Sequence, residues 1–177
     1  KLCSTAFVDG FYYRPRIDKA LLEKHHEGLI ISSACLGGEI SQKIMAGNIE
    51  GAEAAALWYK NLVGDDYYLE VMRHPAADPK QRAEIFDNQE LCNKEILRMG
   101  EKLGIKVIAT NDVHFLNEED AEAHDLLICL NTRKDIDDPN RMRYTRQEWF
   151  KTTAEMMELF KDMPQVIENT SEVADKV

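Results

Sequence analysis

The sequence predicts an α/β fold built on parallel strands, and three observations predict it. Short apolar runs recur along the 177 residues. They alternate with longer helical patterns, and those patterns carry their own start and stop signals. Runs rich in β-branched and aromatic residues, bounded by Gly or acidic turns, form strands. Strands separated by helices pair in parallel, either as an open sheet or as part of a barrel.

Three strands are expected, at Gly28-Leu29-Ile30-Ile31-Ser32-Ser33, at Tyr67-Tyr68-Leu69-Glu70-Val71 and at Ile105-Lys106-Val107-Ile108-Ala109-Thr110. Between the first two, Asn48 is a candidate N-cap. Ile49, Ala52, Ala56, Tyr59 and Val63 then repeat at steps of three and four until Gly64 ends the helix. After Asp78-Pro79, the stripe Ile85, Cys92, Ile96, Met99 and Leu103 forms a second helix, closed by Gly104. Asn117-Glu118-Glu119-Asp120 opens a third with capping-box spacing, leading into Leu126, Leu127 and Leu130 as its apolar residues. Two more helices are expected, over 153–161 and from Pro164. The segment Asp135–Asn140 is a turn-rich loop rather than a linker, so residues 1–177 read as one unit.

Composition narrows the function classes. Apolar residues make up 44% and charged residues 31%, as in an ordinary globular chain. No apolar run approaches the ~20 residues of a membrane span, and the first residues lack a secretory signal. A soluble protein of the reducing cytoplasm is expected. The net charge of −10 argues against a dedicated nucleic-acid-binding module, which needs a basic face for phosphates. Arg14, Arg16 and Lys19 are the local exception, and three charges at a helix start are usually solvated. Of Cys3, Cys35, Cys92 and Cys129, no pair has CxxC spacing, which excludes a zinc ribbon or a thioredoxin-like motif. Cys92 and Cys129 fall inside helical patterns as small core residues.

In parallel α/β folds chemistry gathers beyond the carboxyl ends of the strands. Cys35 follows the first strand, in Ala34-Cys35-Leu36-Gly37-Gly38-Glu39. The second carries Glu70, with Arg73 and His74 close behind. The third leads into Asn111-Asp112-Val113-His114. Residues i and i+2 of an extended strand end face the same way, so Asp112 and His114 are candidate partners at one site. A carboxylate, an imidazole and a thiolate together suit zinc, and the oxygen and nitrogen donors alone admit manganese or iron. Each residue also has a plainer role available. Asp112 could cap a turn, His114 pack on Phe115, and Cys35 fill a tight turn. Glu70 could be a general base, a partner orienting a ligand imidazole, or a surface carboxylate on a strand edge. His74 reads as a loop residue, His124 as a satisfied polar group in mid-helix, and His25-His26 as exposed.

Longer stretches carry a resemblance. Gly10-Phe11-Tyr12-Tyr13-Arg14-Pro15-Arg16-Ile17-Asp18, the run Leu29–Ile40 around Cys35, and Tyr68-Leu69-Glu70-Val71-Met72-Arg73-His74 are similar to segments of the polymerase-and-histidinol-phosphatase (PHP) domain of bacterial replicative DNA polymerase III alpha subunits. So are Ile108–Leu116 with Glu119–Asp125, the most specific of the matches, and the closing Asn169–Ala174. They occur in family order over nearly the whole chain. The resemblance implies that residues 1–177 are the C-terminal portion of a distorted (β/α)7 PHP-type barrel. It further implies that Cys35, Asp112 and His114 are metal ligands, with zinc or manganese bound, and that Glu70, His74 and His124 are candidates to hold those ligands. The implied parent is a DNA-directed DNA polymerase, a magnesium-dependent nucleotidyltransferase that works on DNA and deoxynucleoside triphosphates with other replisome subunits. The PHP site would then serve 3′–5′ exonuclease proofreading or act as a scaffold. The family's opening His-x-His and its next Asp, His and Glu ligands have no counterpart here, and Pro75–Gln89 looks like an insertion. The chain by itself is therefore expected to be inactive. The alternatives are a stand-alone PHP-family metal-dependent phosphoesterase and a non-catalytic module that docks another subunit.

Overall fold

A computed structural model describes all residues, 1–177. Its centre is a three-stranded parallel sheet, with strands in chain order: β3 (Ile31–Ser32), β4 (Tyr67–Val71) and β5 (Val107–Ala109). The register sets Ile31 opposite Tyr67 and Leu69 opposite Val107. The three expected strands and their parallel pairing are therefore present as an α/β arrangement, and a closed barrel is not. The outer strands are shorter than expected. The β3 run is trimmed to two residues just after Gly28 takes φ +74°.

Ahead of the sheet lie α1 (Leu2–Val8), a small hairpin of β1 (Phe11–Tyr12) and β2 (Arg14–Pro15), and α2 (Lys19–Lys24). The hairpin was not legible in the sequence: it turns on Tyr13 at φ +58°, a conformation usually left to Gly or Asn. His25 and His26 close α2 half-buried rather than exposed.

Helices α3 (Glu39–Met45), α4 (Ile49–Val63) and α6 (Asp87–Leu103) pack against one another and the sheet. Asn48 caps α4 by accepting from Gly51 N, and Gly104 ends α6 in the left-handed conformation, both as the residues predict. The core joins Ile40, Ala52 and Ala56 of α3 and α4 to Cys92, Ile96 and Met99 of α6 and to Tyr67, Leu69 and Val71 of β4. Every residue of β4 is buried, as expected for a central parallel strand covered on both faces. The α6 pattern begins irregularly: a short α5 (Pro79–Gln81) runs through a π-turn, Arg82–Phe86, before regular helix resumes.

Close approach explains one helix-interior glycine. A Cβ at Gly100 would come within 2.6 Å of Val107 Cγ2 and 2.9 Å of the Ile105 carbonyl oxygen. Helix propensity alone would favour alanine there, but overpacking decides the sign. Gly100→Ala is expected to lose about 1–3 kcal/mol, read from the denaturation midpoint at unchanged m-value.

Helices α7 (Ala121–Thr132), α8 (Thr153–Leu159) and α9 (Gln165–Asp175) complete the chain. The capping box at Asn117 and Asp120 is present. So is an unforeseen one at Thr152 and Glu155. In α7 the expected apolar residues Leu126, Leu127 and Leu130 are exposed, and Ala121 and Ile128 are buried instead. Cys129 is correspondingly only half-buried. Helix α9 closes the open edge of β5 with side chains: Asn169 Nδ2 donates to the Val107 carbonyl at 2.8 Å, and Thr170 Oγ1 accepts from Ala109 N at 3.2 Å. A covered edge offers no unpaired ladder to another chain. No helix is long and apolar enough to cross a membrane.

Candidate functional site

Because the strands are parallel and adjacent, the loops that carry Cys35, Arg73-His74 and Asp112–His114 leave from one rim. Glu70 ties that rim together. Its carboxylate is buried, with Oε1 accepting from Ala34 N at 2.9 Å and Oε2 accepting from Thr110 Oγ1 at 2.6 Å. Its own N–H donates to Ser33 Oγ at 2.8 Å. One side chain of the central strand thus grips the loop after β3 and the loop after β5 by charge-assisted hydrogen bonds. Both loops bend sharply where they leave the sheet, with Ala34 at φ +62° and Asp112 at φ +44°. Residues other than Gly hold that conformation only where their surroundings impose it. Glu70 is not the surface carboxylate considered above.

Cys35 is half-buried and lines a crevice of about 10 Å³ with Glu70, Gln89 and Cys92. That space is about one water's worth. Next to it, two amides of α6 secure the chain beyond β4. Asn93 accepts from Met72 N and donates to the Met72 carbonyl, at 3.2 and 2.9 Å. Gln89 Oε1 accepts from His74 N at 2.7 Å, and its Nε2 lies 3.0 Å from His74 Nδ1. His74 is a loop residue, as its sequence context predicts, but a buried one, and its Nε2 meets the Asn111 carbonyl at 3.0 Å. With Nε2–H donating there and Nδ1 accepting from Gln89, the ring is neutral. Its pKa is lowered chiefly by burial, which outweighs the nearby Glu148 carboxylate. His74 therefore clips the backbone immediately before Asp112.

The other side of that loop rests on residues 144–150. Asn111 Nδ2 donates to the carbonyls of Gln147 and Trp149 at 2.9 and 2.7 Å. His114 N donates to the Glu148 carbonyl at 2.7 Å, and Phe115 forms a parallel bridge with Trp149. Glu148 is 1% exposed; its Oε1 accepts from Thr145 N and Oγ1. Glu148 Oε2 and Asn111 Oδ1 are buried with no donor facing them, an unusual state for acceptors in a folded interior.

His114 is exposed, and its ring packs against Tyr144 and His124 at centroid distances of 4.5 and 5.7 Å. His124 also packs against Phe115, with ring centroids 5.1 Å apart and the planes tilted by 37°. His114 Nδ1 lies 2.5 Å from the Asp112 carbonyl and Nε2 lies 3.0 Å from Tyr144 OH. The alternation argument for Asp112 and His114 does not hold, because β5 stops at Ala109 and the positive φ at Asp112 breaks any extended run. The Tyr144 pKa is raised, first by burial, then by the Asp112, Glu148 and Cys35 charges, so its hydroxyl lies in the field of both expected ligand loops.

Thiol, carboxylate and imidazole are the right donor types for zinc, and the orphaned acceptors beside them fit a cation. The set is nonetheless open, since no three His, Cys, Asp or Glu side chains are grouped closely enough to hold a metal ion. Sequence reasoning missed Gln89, Asn93, Asn111, Tyr144 and Glu148. The first two left a faint signal, as amides four residues apart on the α6 face that also carries Cys92 and Ile96.

Comparison with known proteins places the chain among relatives. The PHP domain family model matches residues 1–74. DNA polymerase III subunit alpha of Borreliella burgdorferi is 42% identical over 177 residues, covering 99% of this chain and 15% of that protein. The Campylobacter jejuni subunit is 42% identical over 186 aligned residues with the same coverage. That of Deinococcus radiodurans is 36% identical over 159 residues, covering 89% of this chain and 11% of the relative. The chain thus spans about 15% of the length of such relatives. Residues 1–74 thus match the PHP domain family, and the chain from end to end aligns with one segment of bacterial DNA polymerase III alpha subunits.

Proposed function

We propose that Cys35, Asp112 and His114 supply one side of a metal site in the PHP domain of a DNA polymerase III alpha subunit, with the remaining ligands coming from outside this chain. Zinc or manganese is the metal. The observation that carries this reading is the Glu70 carboxylate, which binds the Cys35 loop through Ala34 and the Asp112 loop through Thr110. A buried carboxylate spent on aligning two loops suits a rim whose side chains must meet a common target. His114, donating Nδ1–H to the Asp112 carbonyl, keeps its Nε2 lone pair as the ligand atom and gives up the Tyr144 hydrogen bond to use it. When bound, the metal would polarise a phosphodiester and lower the pKa of an attacking water, as 3′–5′ exonuclease proofreading requires.

The PHP assignment extends beyond residue 74 because β5 pairs with β4 across that boundary and completes the same sheet. Residues 1–177 form the C-terminal portion of the PHP barrel in this reading. The whole protein would be the cytoplasmic, magnesium-dependent DNA-directed DNA polymerase, acting on DNA and deoxynucleoside triphosphates within the replisome. A second reading, a non-catalytic docking module, is favoured by the exposed Leu126, Leu127 and Leu130 of α7.

The test is metal content. In the full-length protein, Asp112→Ala is expected to lower bound zinc and manganese by about tenfold or more at limiting metal, on the scale of lost site interactions, as read by plasma mass spectrometry after dialysis. Unchanged stoichiometry rejects Asp112 as a ligand and leaves the docking reading.

A further inference from the structure

We infer that the Tyr144 hydroxyl is a built-in competitor for the metal at His114, a positioning residue that must leave Nε2 before that nitrogen can serve as a ligand. The inference deepens the metal-site proposal and rests on it, since it names a residue that sets how readily that site loads. Its basis is the hydrogen bonding of one imidazole. His114 Nδ1 lies 2.5 Å from the Asp112 carbonyl oxygen, which can only accept, so Nδ1 carries the proton. In the neutral ring Nε2 is then the acceptor, and the phenol O–H of Tyr144 donates to it at 3.0 Å. The lone pair that a metal would take is the one that Tyr144 holds. A zinc–nitrogen bond is about 2.0–2.1 Å, shorter than the 3.0 Å from Nε2 to the phenol oxygen. Along that lone pair the two partners exclude one another.

The phenol is held in place from several sides. Its ring packs on His114 at a centroid distance of 4.5 Å and meets His124 edge-on at 5.1 Å. Its carbonyl accepts from Gln81 Nε2 at 2.9 Å, a contact supplied by the inserted segment Pro75–Gln89. The next residue is pinned as well, with Thr145 N and Oγ1 donating to the buried Glu148 carboxylate at 3.1 and 2.6 Å. Inward retreat is closed. The crevice that Tyr144 shares with His124 and Phe115 has about 10 Å³ of room, one water's worth and far too little for a phenol ring. Tyr144 is half-buried, so its open direction is outward, by rotation of the side chain toward solvent. Loading the site therefore costs the Tyr144–His114 hydrogen bond. A residue outside the donor set thereby lowers metal affinity by the worth of that bond, and the inserted segment helps to hold it there.

The experiment compares zinc binding by the full-length protein and its Tyr144→Phe variant, each stripped with EDTA, dialysed and titrated in competition with a chromogenic chelator. Phenylalanine keeps the ring and removes only the hydroxyl. The zinc Kd of the variant should fall about two- to tenfold, the equivalent of one hydrogen bond of ordinary net worth. Damage to the fold would weaken binding, so a gain in affinity is a signature that a merely structural role does not give. Fluorotyrosine at position 144 supplies a second readout, since its fluorine NMR resonance should shift as zinc is added and the phenol leaves His114. An unchanged or higher Kd in Tyr144→Phe overturns the inference. So does a fluorine resonance that stays in place in protein that has taken up zinc. Zinc uptake insensitive to Asp112→Ala would instead bring down the metal-site reading, and this inference with it.

Discussion

Glu70→Ala should destabilise the chain by about 2–4 kcal/mol, because it removes two part-buried hydrogen bonds to a carboxylate, from Ala34 N and Thr110 Oγ1, and hydrogen bonds to charged groups contribute about 1.5–3 kcal/mol each, with part-burial keeping the sum at the lower end. The loss should be local as well as global. Hydrogen exchange at the Ala34 amide is expected to rise ahead of the core amides of β4, since that amide loses its acceptor while the parallel ladder remains. Glu70→Gln separates positioning from charge. Its carbonyl can still accept from Ala34 N, and its NH2 can donate to the Thr110 oxygen once that hydroxyl turns. A loss of about 1 kcal/mol or less is therefore expected, near the net worth of one hydrogen bond. Urea denaturation of the two variants checks this. Equal losses for Ala and Gln would sink the claim that Glu70 acts as a brace between two loops.

Phe160→Ala should cost about 3–5 kcal/mol, the range for a fully buried phenylalanine. Phe160 ends α8 and is 0% exposed, within the central core. Its ring also lies 5.4 Å beneath the Arg73 guanidinium, and cation–π contact adds to burial. Arg73 in turn reaches Glu90 of α6, Asp162 and the Leu159 carbonyl. Deletion of the ring would loosen the clamp that joins α8 to the chain just before His74. The expected signature is a fall in denaturation midpoint together with faster exchange at the Phe160 amide, which bonds to the Met156 carbonyl. Faster exchange there with an unchanged midpoint would show that Phe160 caps α8 locally without supporting the core.

Much of the architecture could be read from residues alone. Periodicity located β4 and β5, the steps of three and four in Ile49–Val63 located α4, and Asn48 and Gly104 marked real helix ends. Alternation of strand and helix implied parallel pairing, and parallel pairing placed Cys35, Glu70 and Asp112 on one edge. The reading failed where local signals had no say. Leu126, Leu127 and Leu130 satisfy a helical spacing, yet nothing in a spacing states which side meets the sheet. Asp112 and His114 are two apart, but a positive φ at Asp112 cancels the alternation on which their alignment was argued.

The sequence by itself determined the elements, their order and the edge from which the chemistry-bearing loops depart. Those properties follow from caps, turns and apolar periods within a few residues of one another. Only the tertiary structure decided that Glu70 braces two loops, that His74 and Asn111 hold the backbone at Asp112, and that Tyr144 meets His114. These pairings join residues some 30 to 40 positions apart. Closing such loops carries an entropic penalty that is offset by the whole core at once, so no local pattern of residues records them.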